Sequence, residues 1–130
     1  SKIESIRKVE IGAAVSYGQK WVAPRPSWIG LLSIGYADGI HRVASNQSFA
    51  SIKNKKIPIV GTVCMDLVML DLTELVLSGT SIDDLLKEDV ILFGNHVLTA
   101  NEWATYEETI PYEVLTSLSS RIPRVYKSEK

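Results

Sequence analysis

The sequence has a single cysteine, no long apolar run and no cluster of positive charge, and each absence excludes a class of protein. A lone cysteine, Cys64, excludes an internal disulfide and indicates a reducing compartment, so we expect a cytoplasmic protein. No apolar run approaches the ~18 residues of a membrane-spanning helix, and the charged N-terminus resembles no signal peptide, so we expect no membrane association. The 14 basic and 15 acidic residues give a net charge of −1 and are spread along the chain, which argues against nucleic-acid binding.

Sequence motifs for metal and nucleotide binding are also missing. The chain contains no GxGxxG, GxxxxGK[ST], HExxH or CxxC pattern, and its two histidines, His41 and His96, are isolated, so we expect no metal site. Cys64 has no histidine near it in sequence to activate its thiol. We therefore interpret Cys64 as a small buried apolar residue rather than a nucleophile.

The composition is that of one folded domain. The chain has 130 residues, and 45% of them are hydrophobic, which is enough for a core and argues against disorder. We expect a single domain over residues 1–130. Short apolar or alternating runs with turn residues between them predict a mainly β fold, a Greek-key-like β-barrel of about eight strands with two or three short helices. The predicted strands are 6–17, 20–23, 28–34, 49–53, 56–60, 67–72, 89–93 and 121–126.

Helix signals occur in the second half of the chain. Residues 99–102 fit a capping box, which predicts a helix over about 100–106. Pro111 opens a second helix, because apolar residues follow it at helical spacing. Residues 82–86 indicate a third, short helix, and residues 74–80 are expected to form a loop. Asn54 and Lys55 are expected at the turn of a β-hairpin.

The stretch SIGYADGIHR (33–42) stands out at the end of the predicted strand 28–34. The apolar run stops at Gly35, and Gly39 follows within five residues, so the backbone there can adopt a positive φ or pass close to another group. Tyr36 is left at a strand end, a common place for a reactive side chain on a stiff support. Taken alone, the stretch is better explained as an ordinary loop around a half-buried aromatic residue.

Four stretches together resemble the C-terminal domain of the alanine racemase family, pyridoxal-phosphate enzymes that interconvert L- and D-alanine. They are VSYG (15–18) with Trp21, SIGYADG (33–39), PIVGTVCMD (58–66), and TIPYEV (109–114) followed by SRIPRVY (120–126). Each stretch is short, but their order and spacing match the family over nearly the whole chain. The resemblance implies that this chain is part of a larger enzyme, whose N-terminal TIM-like barrel would carry a lysine and most of the pyridoxal phosphate pocket.

The resemblance implies that Tyr36 is the catalytic base on the L side of alanine, while the barrel lysine serves the D side. The family works as a head-to-tail homodimer, so Tyr36 would reach the partner subunit's active site. The reaction of the whole enzyme would supply D-alanine for the cell wall. A phenol has a reference pKa of about 10, so a nearby cation must favour its charged form. We expect that cation to be a histidine–arginine pair on the partner's barrel, and we expect structural roles for His41 and Arg42.

The resemblance also implies two binding residues. The backbone amide near Met65 would bind the substrate carboxylate, with Asp66 fixing this segment by accepting backbone hydrogen bonds, and Tyr112 would contact the cofactor phosphate and line the substrate entrance. Without the resemblance, Met65 is an apolar gap-filler and Tyr112 a helix-end tyrosine. Thr62 stands where many members have an arginine at the substrate entrance, so the charge of that entrance differs here. The remaining tyrosines, Tyr17, Tyr106 and Tyr126, are interpreted as structural.

Three other functions remain compatible with the residues. The chain could be a non-catalytic β-barrel module that binds a partner or fixes a dimer, or part of a racemase of another small amino acid. A third alternative is a basic amino-acid decarboxylase, which pairs a similar β-domain with a similar barrel, although GYADG (35–39) fits the racemase better. As a racemase domain, the isolated chain is expected to be inactive, because the lysine and the cofactor pocket would lie elsewhere.

Overall fold

The backbone of the computed structural model, which describes residues 1–15 and 21–125, is organised around an antiparallel sheet. Its strands are β1 (Ile3–Val9), β2 (Ala14–Val15), β3 (Trp21–Val22), β4 (Ser27–Leu32), β5 (Phe49–Ile52), β6 (Lys55–Val60) and β7 (Val68–Asp71). Five of them form one sheet in the order β1-β4-β7-β6-β5, and β2 pairs with β3 in a separate ribbon. The mainly β prediction is confirmed. The predicted strand end at 16–18, with Tyr17, and Tyr126 lie outside the described residues.

Four short α-helices occur among the described residues, and three of them are where the sequence predicts helices. They are α1 (Thr73–Leu77), α2 (Ile82–Lys87), α3 (Ala100–Tyr106) and α4 (Pro111–Thr116). Side-chain oxygens cap two of them: Ser81 accepts from the Asp84 amide and Thr99 from the Glu102 amide, both at 3.1 Å. Pro111 begins α4, where its missing N–H leaves no bond unmade.

The connections of the sheet are those of a Greek key. Strands β5, β6 and β7 follow one another as antiparallel neighbours, and the preceding strand, β4, returns to lie beside β7. The long connection from β4 to β5 carries Tyr36. The Greek-key part of the prediction is therefore confirmed. This topology places Tyr36 in the connection between two strands of the same sheet, β4 and β5.

In the part of the chain that the structure describes, the barrel does not close by continuous strand pairing, which corrects the predicted barrel in one respect. Strands β1 and β5 are the two edges of the sheet, and only single bridges, Lys2 to Asp89 and Ser51 to Ile91, connect them through one short segment. Backbone N–H groups of Ser51 and Ile91 donate to each other's carbonyls at 2.7 and 2.9 Å. In place of the predicted strand 89–93, Asp89 forms a single bridge at the β1 edge and Ile91 forms a single bridge at the β5 edge.

The sheet buries apolar side chains on both faces. On one face, residues such as Leu32, Ile59 and Leu70 join the helices in the main core, around the fully buried Trp103. On the other face, Ile29 and a few neighbours pack beneath the β2–β3 ribbon. Strand β4 contributes to both clusters, as its nearly continuous apolar sequence predicts.

Three local predictions differ from the structure. The predicted loop 74–80 begins with helix α1, because Leu75 turns into the core and the Asp71 carboxylate accepts the Thr73 N–H at 3.0 Å. The β5–β6 turn is formed by Lys53 and Asn54, both with positive φ, one residue earlier than expected. In the predicted last strand, residues 121–125 form no strand.

Helix α3 is joined to strand β6 by a small polar cluster on the surface. The carboxylate of Glu102 lies 2.6 Å from the Lys56 ammonium and accepts from the Tyr106 hydroxyl at 2.5 Å. Hydrogen bonds from Lys56 and Tyr106 lower the pKa of Glu102 below its ordinary value of 4.5. Burial and the same carboxylate raise the pKa of Tyr106. The assignment of Tyr106 to a structural role agrees with these contacts.

We expect Glu102→Gln to destabilise the fold in a pH-dependent way. Because folding lowers the pKa of Glu102, its contribution is fully present above about pH 4.5 and is lost as the pH falls through the folded-state pKa. The variant should therefore be less stable at neutral pH by roughly 0.2–1 kcal/mol, and this difference should shrink as the pH is lowered below about 4.5. Urea unfolding at neutral pH and at an acidic pH measures it. Glu10→Gln, at an exposed carboxylate, is the control and should show no such change; equal differences at both pH values would contradict the prediction.

Candidate functional site

The turn that carries Tyr36 is bonded directly to the segment that carries Met65. The Tyr36 N–H donates to the Cys64 carbonyl at 2.9 Å, and the Ala37 N–H donates to the Met65 carbonyl at 3.0 Å. Gly35 makes this approach possible, because a Cβ atom there would lie 2.1 Å from the Cys64 oxygen. The φ of Gly35 is −160°, so space rather than a special backbone conformation requires glycine at this position.

Asp38 and Gly39 fix the rest of the turn. Residues Tyr36–Asp38 form one turn of 3₁₀ helix, and the buried Asp38 carboxylate accepts the Gly35 N–H through Oδ2 at 3.0 Å. Gly39 has a φ of 114°, in the left-handed region, and a Cβ atom there would lie 2.5 Å from the Ser117 carbonyl oxygen. The turn therefore packs closely against the backbone at the end of helix α4.

Tyr36 and Met65 share an open cavity of about 290 Å³. Its wall is formed by Tyr36, Arg42, Thr62, Val63, Cys64 and Met65. Tyr36 is 47% exposed, and within the described part of the chain its phenol makes no hydrogen bond. The amide N–H of Met65 likewise donates to no group among residues 1–15 and 21–125. Tyr36 and Met65 thus line the same cavity, while Cys64 is half-buried and donates its S–H to the Thr62 carbonyl at 3.5 Å.

His41 and Arg42 have different roles. The buried carboxylate of Glu107 accepts the backbone N–H of His41 at 2.7 Å and lies 3.0 Å from its ring Nδ1, so His41 anchors the turn, as its expected structural role requires. Arg42 instead lines the cavity beside Tyr36. Its guanidinium forms no ion pair with the described residues. The sequence reasoning missed this, because spacing along the chain does not show that Arg42 turns back towards Tyr36.

Asp66 is held by a side chain that the sequence reasoning did not single out. Both terminal nitrogens of Arg121 lie 3.4 Å from Oδ1 of Asp66, which is exposed and accepts no backbone hydrogen bond among the described residues. Backbone hydrogen bonds were expected there instead. The same guanidinium also contacts Asp38, at 3.5 Å. No sequence signal could have found this contact, because the three residues are far apart in the chain.

Tyr112 lies outside the cavity wall. It is 79% exposed at the start of helix α4, and within the described residues its hydroxyl makes no hydrogen bond. The structure therefore brings Tyr36 and Met65 together but leaves Tyr112 apart from them. Its phenol is available to a group outside this chain.

Groups for a complete active site are missing from the part of the chain that the structure describes. The cavity wall contains no lysine and no carboxylate, and no group of three metal-ligating side chains occurs among the described residues. None of the described helices is long and apolar enough to cross a membrane. The described residues thus present the exposed phenol of Tyr36 at an open cavity, and we name the turn of Tyr36 and the segment of Met65 together the half-site.

Comparison with known proteins gives this half-site a family. The family profile described as "Alanine racemase, C-terminal domain" matches residues 1–126. The chain is 43% identical to the alanine racemase of Thermodesulfovibrio yellowstonii over 133 residues, which covers 100% of this chain and 35% of that protein. It is also 43% identical to the alanine racemase of Mycolicibacterium smegmatis over 125 residues, covering 93% of this chain and 31% of the relative. The chain belongs to the alanine racemase C-terminal domain family.

Solved structures agree with the sequence comparison. The crystal structure of alanine racemase from Bartonella henselae with covalently bound pyridoxal phosphate superposes with a TM-score of 0.88 at 34% identity, over 98% of this chain and 34% of that one. An alanine racemase structure from Streptomyces lavendulae has a TM-score of 0.87 at 29% identity, over 100% of this chain and 33% of that one. The chain thus spans about a third of the length of the relatives it matches.

Proposed function

We propose that this chain supplies one proton-transferring face of a pyridoxal-phosphate-dependent alanine racemase. The observation that carries the proposal is the cavity lined by Tyr36 and Met65. Among the described residues the Tyr36 phenol makes no hydrogen bond and the Met65 N–H has no acceptor, and the described wall contains no second base. Racemisation needs a base on each face of a planar intermediate. A chain that spans a third of its relatives and offers one base fits one face of that reaction.

Tyr36 removes the α-proton from L-alanine, or returns a proton to that face, through its phenol oxygen. The Met65 amide holds the substrate carboxylate by donating its N–H, which points the Cα–H bond towards the phenol. Arg42 adds a positive charge to the same cavity wall. That charge favours the approach of a carboxylate to the cavity.

Pyridoxal phosphate, when bound, supplies the electron sink that makes the α-proton acidic. The residues of this chain can form one side of the pyridoxal phosphate pocket but not the whole pocket, since the described cavity wall contains no lysine. Tyr112 is the residue that would hold it, by donating its exposed hydroxyl to a phosphate oxygen. The other contacts belong to the barrel domain of the full-length protein.

The exposure of Tyr36, Met65 and Tyr112 supports a second element of the proposal, a homodimer in which Tyr36 enters the partner subunit's active site. Large apolar side chains at an open surface gain stability when another surface covers them. The same exposure fits the alternative of a non-catalytic module that only fixes a dimer. A racemase of another small amino acid is the other alternative, and the uncharged Thr62 in the cavity wall is the observation that favours it.

We expect the full-length protein with pyridoxal phosphate to racemise alanine, and the isolated 130-residue chain to be inactive. The isolated chain keeps the tyrosine but lacks the opposing base and the lysine that holds the cofactor. Polarimetry or a coupled D-alanine assay, repeated with L-serine and other small amino acids, measures both the activity and its selectivity. Racemisation by the isolated chain would contradict the proposal, and a full-length protein without any racemase activity would favour the dimerisation module.

A further inference from the structure

Arg121 lies beside the Tyr36 turn although it is distant from Tyr36 in sequence. Its Nε atom is 3.5 Å from Oδ1 of Asp38, and its Nη1 and Nη2 atoms are each 3.4 Å from Oδ1 of Asp66. Asp38 ends the turn that carries Tyr36, and Asp66 directly follows Met65. One guanidinium therefore contacts both segments of the half-site.

We propose that Arg121 is a positioning residue that sets the distance between the Tyr36 phenol and the Met65 amide. It does so by holding the carboxylates of Asp38 and Asp66, without touching substrate. This inference rests on the proposed function, because it names the residue that aligns the base with the carboxylate-binding N–H.

Asp38 connects Arg121 to the turn that carries Tyr36. Its Oδ1 faces Arg121, while its Oδ2 accepts the Gly35 N–H at 3.0 Å, so the carboxylate is shared between the turn and the guanidinium. Its backbone carbonyl accepts the Ser119 N–H at 3.1 Å, which joins the turn to the segment that carries Arg121. A displacement of Arg121 would therefore move the turn.

The arginine side chain suits this task better than lysine would. A planar guanidinium offers donors in several directions and can serve two carboxylates, whereas an ammonium acts as a point charge. The guanidinium is 55% exposed, so its contact with the half-exposed Asp66 alone would contribute little. The Asp38 side chain is only 10% exposed, so removing its cation leaves a poorly compensated buried charge beside Tyr36.

The test measures α-proton exchange in deuterated water for each enantiomer with the full-length holoenzyme. In Arg121→Met, we expect exchange on L-alanine to fall about tenfold to hundredfold, because small misplacements of a catalytic group have effects of this size. Exchange on D-alanine should fall much less, and Arg121→Lys should recover part of the loss. Arg25→Met, which removes a similarly exposed arginine paired with Glu74 at 2.7 Å, should leave both rates unchanged.

A second measurement does not depend on activity. Amide hydrogen exchange should become faster over residues 35–40 in Arg121→Met, where the Tyr36 and Ala37 N–H groups bond to the Met65 segment, and should not change in Arg25→Met. Equal losses on the two enantiomers, or unaltered amide exchange in Arg121→Met, would overturn the inference. If the wild-type protein does not racemise alanine, the proposed function fails, while amide exchange still decides whether Arg121 holds the two segments together.

Discussion

Replacing Tyr36 by phenylalanine in the full-length protein should lower the rate of proton abstraction from L-alanine by about 10²–10⁴-fold, the contribution expected of a positioned general base. Only the hydroxyl is removed, and that hydroxyl makes no hydrogen bond among the described residues, so the fold should be unaffected. Exchange of the α-proton of D-alanine should be spared, because the proposed mechanism assigns the opposite face to a lysine on the barrel. Deuterium incorporation from solvent, followed separately for the two enantiomers, measures this asymmetry.

Tyr106→Phe is the matched control for this prediction. It also removes a tyrosine hydroxyl, but one that donates to Glu102 at 2.5 Å, and Tyr106 is not part of the cavity wall. It should lower stability slightly and leave both exchange rates intact. An equal loss on L- and D-alanine in Tyr36→Phe would show that Tyr36 is not a one-sided base.

Gly35→Ala should have the second large effect, by separating Tyr36 from the Met65 segment. The new Cβ would lie 2.1 Å from the Cys64 oxygen and 2.5 Å from the Met65 oxygen, and backbone atoms cannot give way as the tip of a side chain can. Overpacking of this kind destabilises by about 1–3 kcal/mol. The shift of the turn should lower racemisation at least about 10²-fold, because catalytic geometry is lost with it. Thermal unfolding and steady-state kinetics of the full-length protein measure the two effects.

Gly79→Ala separates this clash from the general loss of a glycine. Gly79 has a φ of +107° and nothing within 4 Å of its would-be Cβ, so alanine there introduces backbone strain without a clash. We expect Gly79→Ala to lose stability by about 1–3 kcal/mol but to keep its kcat and KM. If Gly35→Ala retained normal kinetics, the close approach of the two segments would not be needed for the reaction.

Local patterns in the sequence predicted most of the fold. The Thr99 cap, Pro111 and the apolar run of strand β4 each describe their own neighbourhood, and each was found in place. The closure of the barrel was not predictable in the same way. It depends on how far apart the edges of β1 and β5 lie, and only the folded sheet shows that a three-residue segment connects them through single bridges.

The sequence singled out the loop that carries Tyr36 but did not predict its architecture. Gly35 and Gly39 indicated an unusual backbone path near a strand end, and only the resemblance to alanine racemases gave Tyr36 an expected catalytic role. The contact of this turn with Met65 joins residues about thirty positions apart, and the contacts of Arg121 join residues farther apart still. Such pairings depend on the topology of the whole sheet, which local sequence patterns do not encode.

The most direct test of the proposal is complementation between two inactive variants of the full-length protein, one with Tyr36→Phe and one with the barrel lysine replaced. If Tyr36 acts in the partner subunit's active site, a hybrid dimer has one site with both wild-type groups. Mixing and reassociation should then restore about a quarter of the wild-type racemase activity, because half of the random dimers are hybrids and each has one intact site. Recovery of that activity is the result we expect. Hybrid dimers that form, as shown by differently tagged subunits purified together, and yet remain inactive would contradict the account.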